Sequence, residues 1–137
     1  MPVPRLDFSN IRAFNGDQRL GFEKLVCQLA KCDPPATDGE FRYMEGSGGD
    51  GGVEAYWLYP DGSEIGYQAK YFTRTGDIDR GQVDESVRQA LDTRPRLKRY
   101  QVSFACDLTD RSGRQGRGKR GWEHWATHKE KWEEWAT

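Results

Sequence analysis

The chain has 137 residues, enough for one domain with a single core and too few for a second independent one. Its 21 Lys and Arg nearly balance 22 Asp and Glu, so the formal net charge of -1 gives no sign of a polyanionic partner. No apolar run approaches the ~18 residues of a membrane span, and no basic start leads into an apolar stretch as in a secretory leader.

The first residues, with Pro2 and Pro4, read as an irregular arm. From Asp17 to about Cys32, Phe22, Leu25, Val26 and Leu29 fall on one face at helical spacing, which predicts an amphipathic helix. Asp33-Pro34-Pro35 ends it. Phe41 to Met44 is a short strand candidate leading into a glycine-rich loop. Val53 to Tyr59 and Glu64 to Phe72, rich in aromatic and branched residues, predict two strands joined by Pro60-Asp61-Gly62. Ile78 to Asp92 reads as a second helix closed by Arg94-Pro95, and Tyr100 to Ala105 as an apolar strand. A polar loop from Asp107 to Arg120 then precedes a helix from Trp122 to Trp135. The order predicts an α/β fold, a small mixed β-sheet flanked by α-helices. The last helical pattern meets no Gly or Pro stop signal, so the 137-residue domain is expected to be the N-terminal part of a longer protein.

The odd number of cysteines, Cys27, Cys32 and Cys106, without paired Cys-x-x-Cys spacing, predicts neither disulfides nor a zinc site, and points to a reduced, cytoplasmic protein.

The glycine-rich stretch ends in Gly49-Asp50-Gly51-Gly52-Val53-Glu54 and is followed at hairpin distance by Tyr67-Gln68-Ala69-Lys70. A Pro-Asp-Gly connection suits a type I turn with Gly in the left-handed bulge position, which pairs Tyr59 with Ser63. Continuing that register sets Glu54 opposite Gln68, and cross-strand partners share a face. Glu54, Gln68 and Lys70 are then expected on one side, and Val53, Ala55, Trp57, Tyr59, Ile65, Tyr67, Ala69 and Tyr71 on the other, core-facing side.

A carboxylate, an amide oxygen and an ammonium held together suit metal-assisted phosphodiester hydrolysis, which needs an activated water and charge stabilisation in the transition state. Oxygen ligands suit Mg²⁺, with Mn²⁺ as a substitute. Glu54 is the candidate ligand, with Asp50 binding the metal or a ligating water and Gln68 donating its carbonyl oxygen. Lys70 is placed to orient the water or stabilise developing charge.

On these residues, Gly-Gly-Asp-Gly-Gly-Val-Glu followed by Gln-Ala-Lys, the chain resembles the PD-(D/E)XK nuclease superfamily, particularly its Mrr-like restriction-endonuclease branch. Gly21-Phe22-Glu23 looks like the family's N-terminal Phe-Glu, whose acid commonly joins the metal site. Glu23 is equally well read as a solvated residue at the edge of the helix's apolar stripe. Ser86, Ala90-Leu91, Pro95, Leu97, Tyr100, Asp107-Leu108-Thr109 and Trp122 are similar to nuclease domains at the N-termini of bacterial antiphage effectors, including STAND NTPase sensors and second-messenger-activated nucleases. Glu54 stands where the family usually has Asp, which leaves Asp50 and Glu54 both open as the principal ligand.

The resemblance implies a restriction-endonuclease-like core and Mg²⁺-dependent endonuclease activity on double-stranded DNA with low sequence specificity. It further implies attached sensor or NTPase domains, and oligomerisation that switches cutting on. A Holliday-junction-resolvase-like nuclease and a catalytically silent DNA-binding or assembly module are the alternatives.

Two further motifs carry less. Gly113 to Lys119 matches the opening of a phosphate-binding P-loop, but Arg120 replaces the Ser or Thr that would hold Mg²⁺ and no strand leads into it. Arg111, Arg114, Arg117, Lys119 and Arg120 are instead candidates for touching DNA phosphates, against the alternative of a solvated basic loop. His124 and His128 have the spacing of two zinc ligands but lack the Glu of the metalloprotease pattern. Trp122, Trp125, Trp132 and Trp135 share a broad helical face expected to pack on the domain.

Overall fold

A computed structural model describes residues 8–44, 52–72, 78–106 and 121–136, without the side chains of residues 9 and 121–124. A 3-10 turn at Phe8–Asn10 precedes helix α1, Gln18–Cys32. Asp17 caps α1, its carboxylate accepting the Arg19 backbone N–H at 2.8 Å. Phe22, Val26 and Ala30, one turn apart, are buried together with Cys27. Leu29, expected on that face, is 61 % exposed, since the buried stripe runs at i, i+4, i+8 from Phe22 and leaves it about 100° off Ala30.

Four strands follow: β1, Glu40–Tyr43; β2, Ala55–Leu58; β3, Glu64–Lys70; and, after helix α2, Arg80–Thr93, β4, Leu97–Phe104. They form one α/β sheet in the order β1-β2-β3-β4, with β1–β2 and β2–β3 antiparallel and β3–β4 parallel. A parallel neighbour cannot be reached by a tight turn, so α2 makes the crossover. Strand β4 starts three residues before the sequence expectation, because Leu97 already pairs with Glu64. Helix α3, Gly121–Ala136, is the third helix among the described residues.

The β2–β3 turn forms as expected. Gly62 takes φ +85°, its N–H donates to the Tyr59 carbonyl at 2.9 Å, and Tyr59 N–H donates to Ser63 at 3.0 Å. The ladder runs Leu58↔Glu64, Trp57↔Ile65, Tyr56↔Gly66 and Ala55↔Tyr67, the expected register.

Both faces of β3 are covered. On one, Trp57, Tyr67 and Ala69 pack against Phe22, Val26 and Ala30 of α1, and the Trp57 indole donates to the Ala30 carbonyl at 3.0 Å. On the other, Val53 and Leu97 close over Gly66, and Gly52 rests against the Ser86–Ala90 backbone of α2. Two expectations are thereby corrected. The face carrying Gln68 is not open, since Gln68 is only 4 % exposed: a strand with partners on both edges and helices on both sides is interior. Val53 does not join the α1-facing side, because the chain bends at Glu54, whose N–H donates to Tyr67 at 2.7 Å, one place out of the ladder's register.

Helix α3 is fastened to α2 through Asp84, which accepts from Trp132 Nε1 at 2.6 Å and Lys131 Nζ at 2.8 Å and lies 3.3 Å from His128 Nδ1. Trp125 stacks edge-on against Phe104 and Trp132, and Trp135 lies over Arg88, so these three tryptophans pack as expected; Trp122 lies outside the described side chains. Among the described residues no helix is long and apolar enough to cross a membrane.

Gly52 has φ +72°, and a Cβ there would run into the Ser86 carbonyl. Gly52→Ala is therefore expected to destabilise the fold by about 2 kcal/mol, from left-handed strain and overpacking, measured as a lowered urea midpoint at unchanged slope.

Candidate active site

The ladder ends at Ala55↔Tyr67 and the chain bends at Glu54, yet the Glu54 side chain still meets Gln68. Gln68 Nε2 donates to Glu54 Oε1 at 2.8 Å and lies 3.3 Å from the Ala69 carbonyl, so the expected facing pair is in direct contact. Glu54 is fixed at the bend before β2: its N–H is bound to Tyr67, and its carbonyl accepts from Met44 at 2.9 Å. Among the described residues the buried side-chain carbonyl oxygen of Gln68 has no hydrogen-bond partner. An orphaned buried acceptor of this kind costs about 1–3 kcal/mol and calls for an explanation in a site.

Lys70, the last residue of β3, shares the side of Gln68 by strand alternation. Phe22 packs on Ala69 and Tyr71, whereas Ala30 packs on Trp57 and Tyr67, so the first turns of α1 lie at the carboxyl end of β3. There Glu23 joins the site. Burial, then the neighbouring Glu54 carboxylate, pushes the Glu23 carboxyl above its ordinary range, against the opposing pull of Arg19 and Lys70. Glu54 is likewise raised by burial, which outweighs the Gln68 hydrogen bond and the Lys70 and Arg19 charges. Lys70 is lowered, again first by burial, although Glu54 and Glu23 favour its charged form. Two carboxyls pushed up and an ammonium pushed down at one strand end is the pattern of groups prepared for proton and charge chemistry.

Glu54 and Gln68 are therefore in contact, Lys70 shares their side of β3, and Glu23 lies on the first turns of α1 toward the same strand end. Asp50 lies outside the described residues, as do Arg111, Arg114, Arg117, Lys119 and Arg120. Three neighbours were not singled out in the sequence. Arg19, one turn before Glu23, approaches it at 3.6 Å, a spacing that the sequence did carry. Cys27, one turn after it, has its thiol pushed up to about 11 by burial and then by Glu54 and Glu23. Tyr100, on β4, donates its hydroxyl to the Gly52 carbonyl at 2.5 Å, and burial, then Glu54, raises its pKa. In the sequence Tyr100 stood among the residues of the family resemblance, with no place at the site.

Among the described residues no group of three or more His, Cys, Asp or Glu is placed to hold a metal ion. The donors available at the strand end are the Glu54 carboxylate and the unpartnered Gln68 oxygen, both hard oxygen ligands, with Glu23 beside them. His128 is engaged with Asp84 at the α2–α3 contact.

The chain matches no protein-family model, no curated protein and no solved structure.

The raised Glu54 pKa has a stability consequence with a definite sign. Below the ordinary value of 4.5 the carboxyl is protonated in both folded and unfolded chains. As pH rises from there through the folded pKa, the charged form is held at a cost, and stability from this group is lost. Glu54→Gln keeps an acceptor for Gln68 Nε2 and removes the charge. It is expected to melt higher than the wild type near pH 7, with the gain vanishing below about pH 4. A lower Tm for the variant at neutral pH would contradict this.

Proposed function

We propose that this chain is a metal-dependent DNA endonuclease domain with a restriction-endonuclease-like core, hydrolysing phosphodiester bonds with low sequence specificity. The observation that carries the reading is the buried, unpartnered Gln68 carbonyl oxygen beside the Glu54 carboxylate, with Lys70 two residues on. Among the described residues the Tyr59 hydroxyl is a second buried atom without a hydrogen-bond partner, so it is the place of the Gln68 oxygen beside the Glu54 carboxylate that suits a divalent cation. The location also supports it, since ligand sites of open α/β sheets lie at the carboxyl ends of the strands.

Glu54 and Gln68 Oε1 would hold Mg²⁺ or Mn²⁺, with Glu23 at the margin and Asp50 as a further candidate ligand. Bound there, the ion would polarise a phosphoryl oxygen and lower the pKa of a coordinated water. Lys70 donates hydrogen bonds to the attacking water or to the charge that develops on phosphate, and its depressed pKa brings it nearer to proton exchange at working pH. The covered faces of β3 exclude bulk water from behind the site, which strengthens these electrostatic interactions. The family resemblance supports a bacterial antiphage setting, with attached sensor domains and activation by oligomerisation.

Lys70→Ala is expected to cut supercoiled plasmid at least ~100-fold more slowly than the wild type in Mg²⁺, with an unchanged circular dichroism spectrum. Mn²⁺ is expected to raise the Tm of the wild type and not that of Glu54→Gln. Cutting that persists in EDTA, or at wild-type rate in Lys70→Ala, would refute the proposal.

A further inference from the structure

One cation at the site has no part in the chemistry above. Positions 19, 23, 26 and 30 follow i, i+4, i+7, i+11 and so share one face of α1. Val26 and Ala30 on that face are buried against the sheet. Because the first turns of α1 lie at the carboxyl end of β3, Arg19 projects on the sheet-facing side past the last strand residues, and its side chain is 54 % exposed. Its guanidinium lies 3.6 Å from Glu23 and 3.8 Å from Asp17, both beyond hydrogen-bond distance and both partly exposed pairs of the kind that contribute little to stability. Arg19 on α1 and Lys70 on β3 therefore both lie toward the same strand end, Arg19 being the more exposed of the two.

We propose that Arg19 is a substrate-binding residue whose guanidinium takes a backbone phosphate of the DNA at the mouth of the Glu54–Gln68–Lys70 site. This rests on the nuclease reading. A planar guanidinium matches two phosphate oxygens at once, and its donors exceed what two long carboxylate contacts use. Lys70, more enclosed, serves the reacting group, while Arg19 holds the strand in place.

The test compares wild type, Arg19→Ala and Arg19→Lys of the full 137-residue chain. Binding of a labelled linear duplex is followed by fluorescence anisotropy in EDTA across a salt series, and single-turnover cleavage in Mg²⁺ is measured beside it. Loss of one phosphate contact is expected to reduce the slope of log affinity against log salt by about 0.9 in Arg19→Ala. Arg19→Lys is expected to keep the wild-type slope. The half-saturating protein concentration for cleavage is expected to rise in Arg19→Ala more than the maximal rate falls. If the wild type binds and cuts and Arg19→Ala matches its slope and affinity, the role of Arg19 is overturned and the nuclease reading stands. If the wild type neither binds nor cuts duplex DNA, both are overturned.

Discussion

The constraint on which the structure depends is the position of β3. It pairs with β2 on one edge and β4 on the other, and is covered by α1 on one face and by Val53, Leu97 and α2 on the opposite one. Such a strand should be apolar throughout, because an unsatisfied polar side chain there costs more than most single contacts return. Gln68 violates that rule at its centre, and Lys70 at its end. Departures from local consistency concentrate at functional sites, which makes the violation informative.

The surrounding elements keep this strand end rigid. Gly52 lies against α2 with its carbonyl bound by Tyr100, and two residues later the bend at Glu54 is fixed by hydrogen bonds to β3 and to Met44. Parallel pairing of β4 through the α2 crossover brings Tyr100 beneath the same loop end. On the far side of α2, the Asp84 contacts with Lys131, His128 and Trp132 hold α3 in place. Glu54 is thus held by backbone bonds to two strands, β3 through Tyr67 and β1 through its neighbour Met44, and its side chain is left to Gln68. A site built in this way can keep a carboxylate at a raised pKa without the structure relaxing around it.

Much of this was legible in the sequence, and the reasons are local. Pro60-Asp61-Gly62 determines a turn type, the turn type determines the register, and the register carries the ladder to Ala55↔Tyr67, next to Glu54 and Gln68; each step is short-range. The first helix was legible from Asp17 and its apolar spacing, and the first two from their Pro-containing stops, while the Asp79 cap of α2 emerges only in the structure. What failed was non-local. Burial of Gln68 depends on which strand pairs with the second edge of β3, and nothing in Glu64 to Lys70 encodes the arrival of β4. The side taken by Val53 depends on a bend that alternation cannot foresee, and the exposure of Leu29 on which residues of α1 meet the sheet. Arg19 was visible one turn before Glu23, but only the orientation of α1 along β3 gives that spacing meaning.

The central claim is that Glu54 and the Gln68 oxygen form a cation seat. The most direct measurement is an anomalous difference map from crystals of the chain soaked in Mn²⁺, collected near the manganese edge. The account predicts a peak within coordination distance, about 2.0–2.6 Å, of both Glu54 and Gln68 Oε1. A map with Mn²⁺ bound only elsewhere, or with Gln68 Oε1 hydrogen-bonded to the protein and no ion beside it, would contradict it.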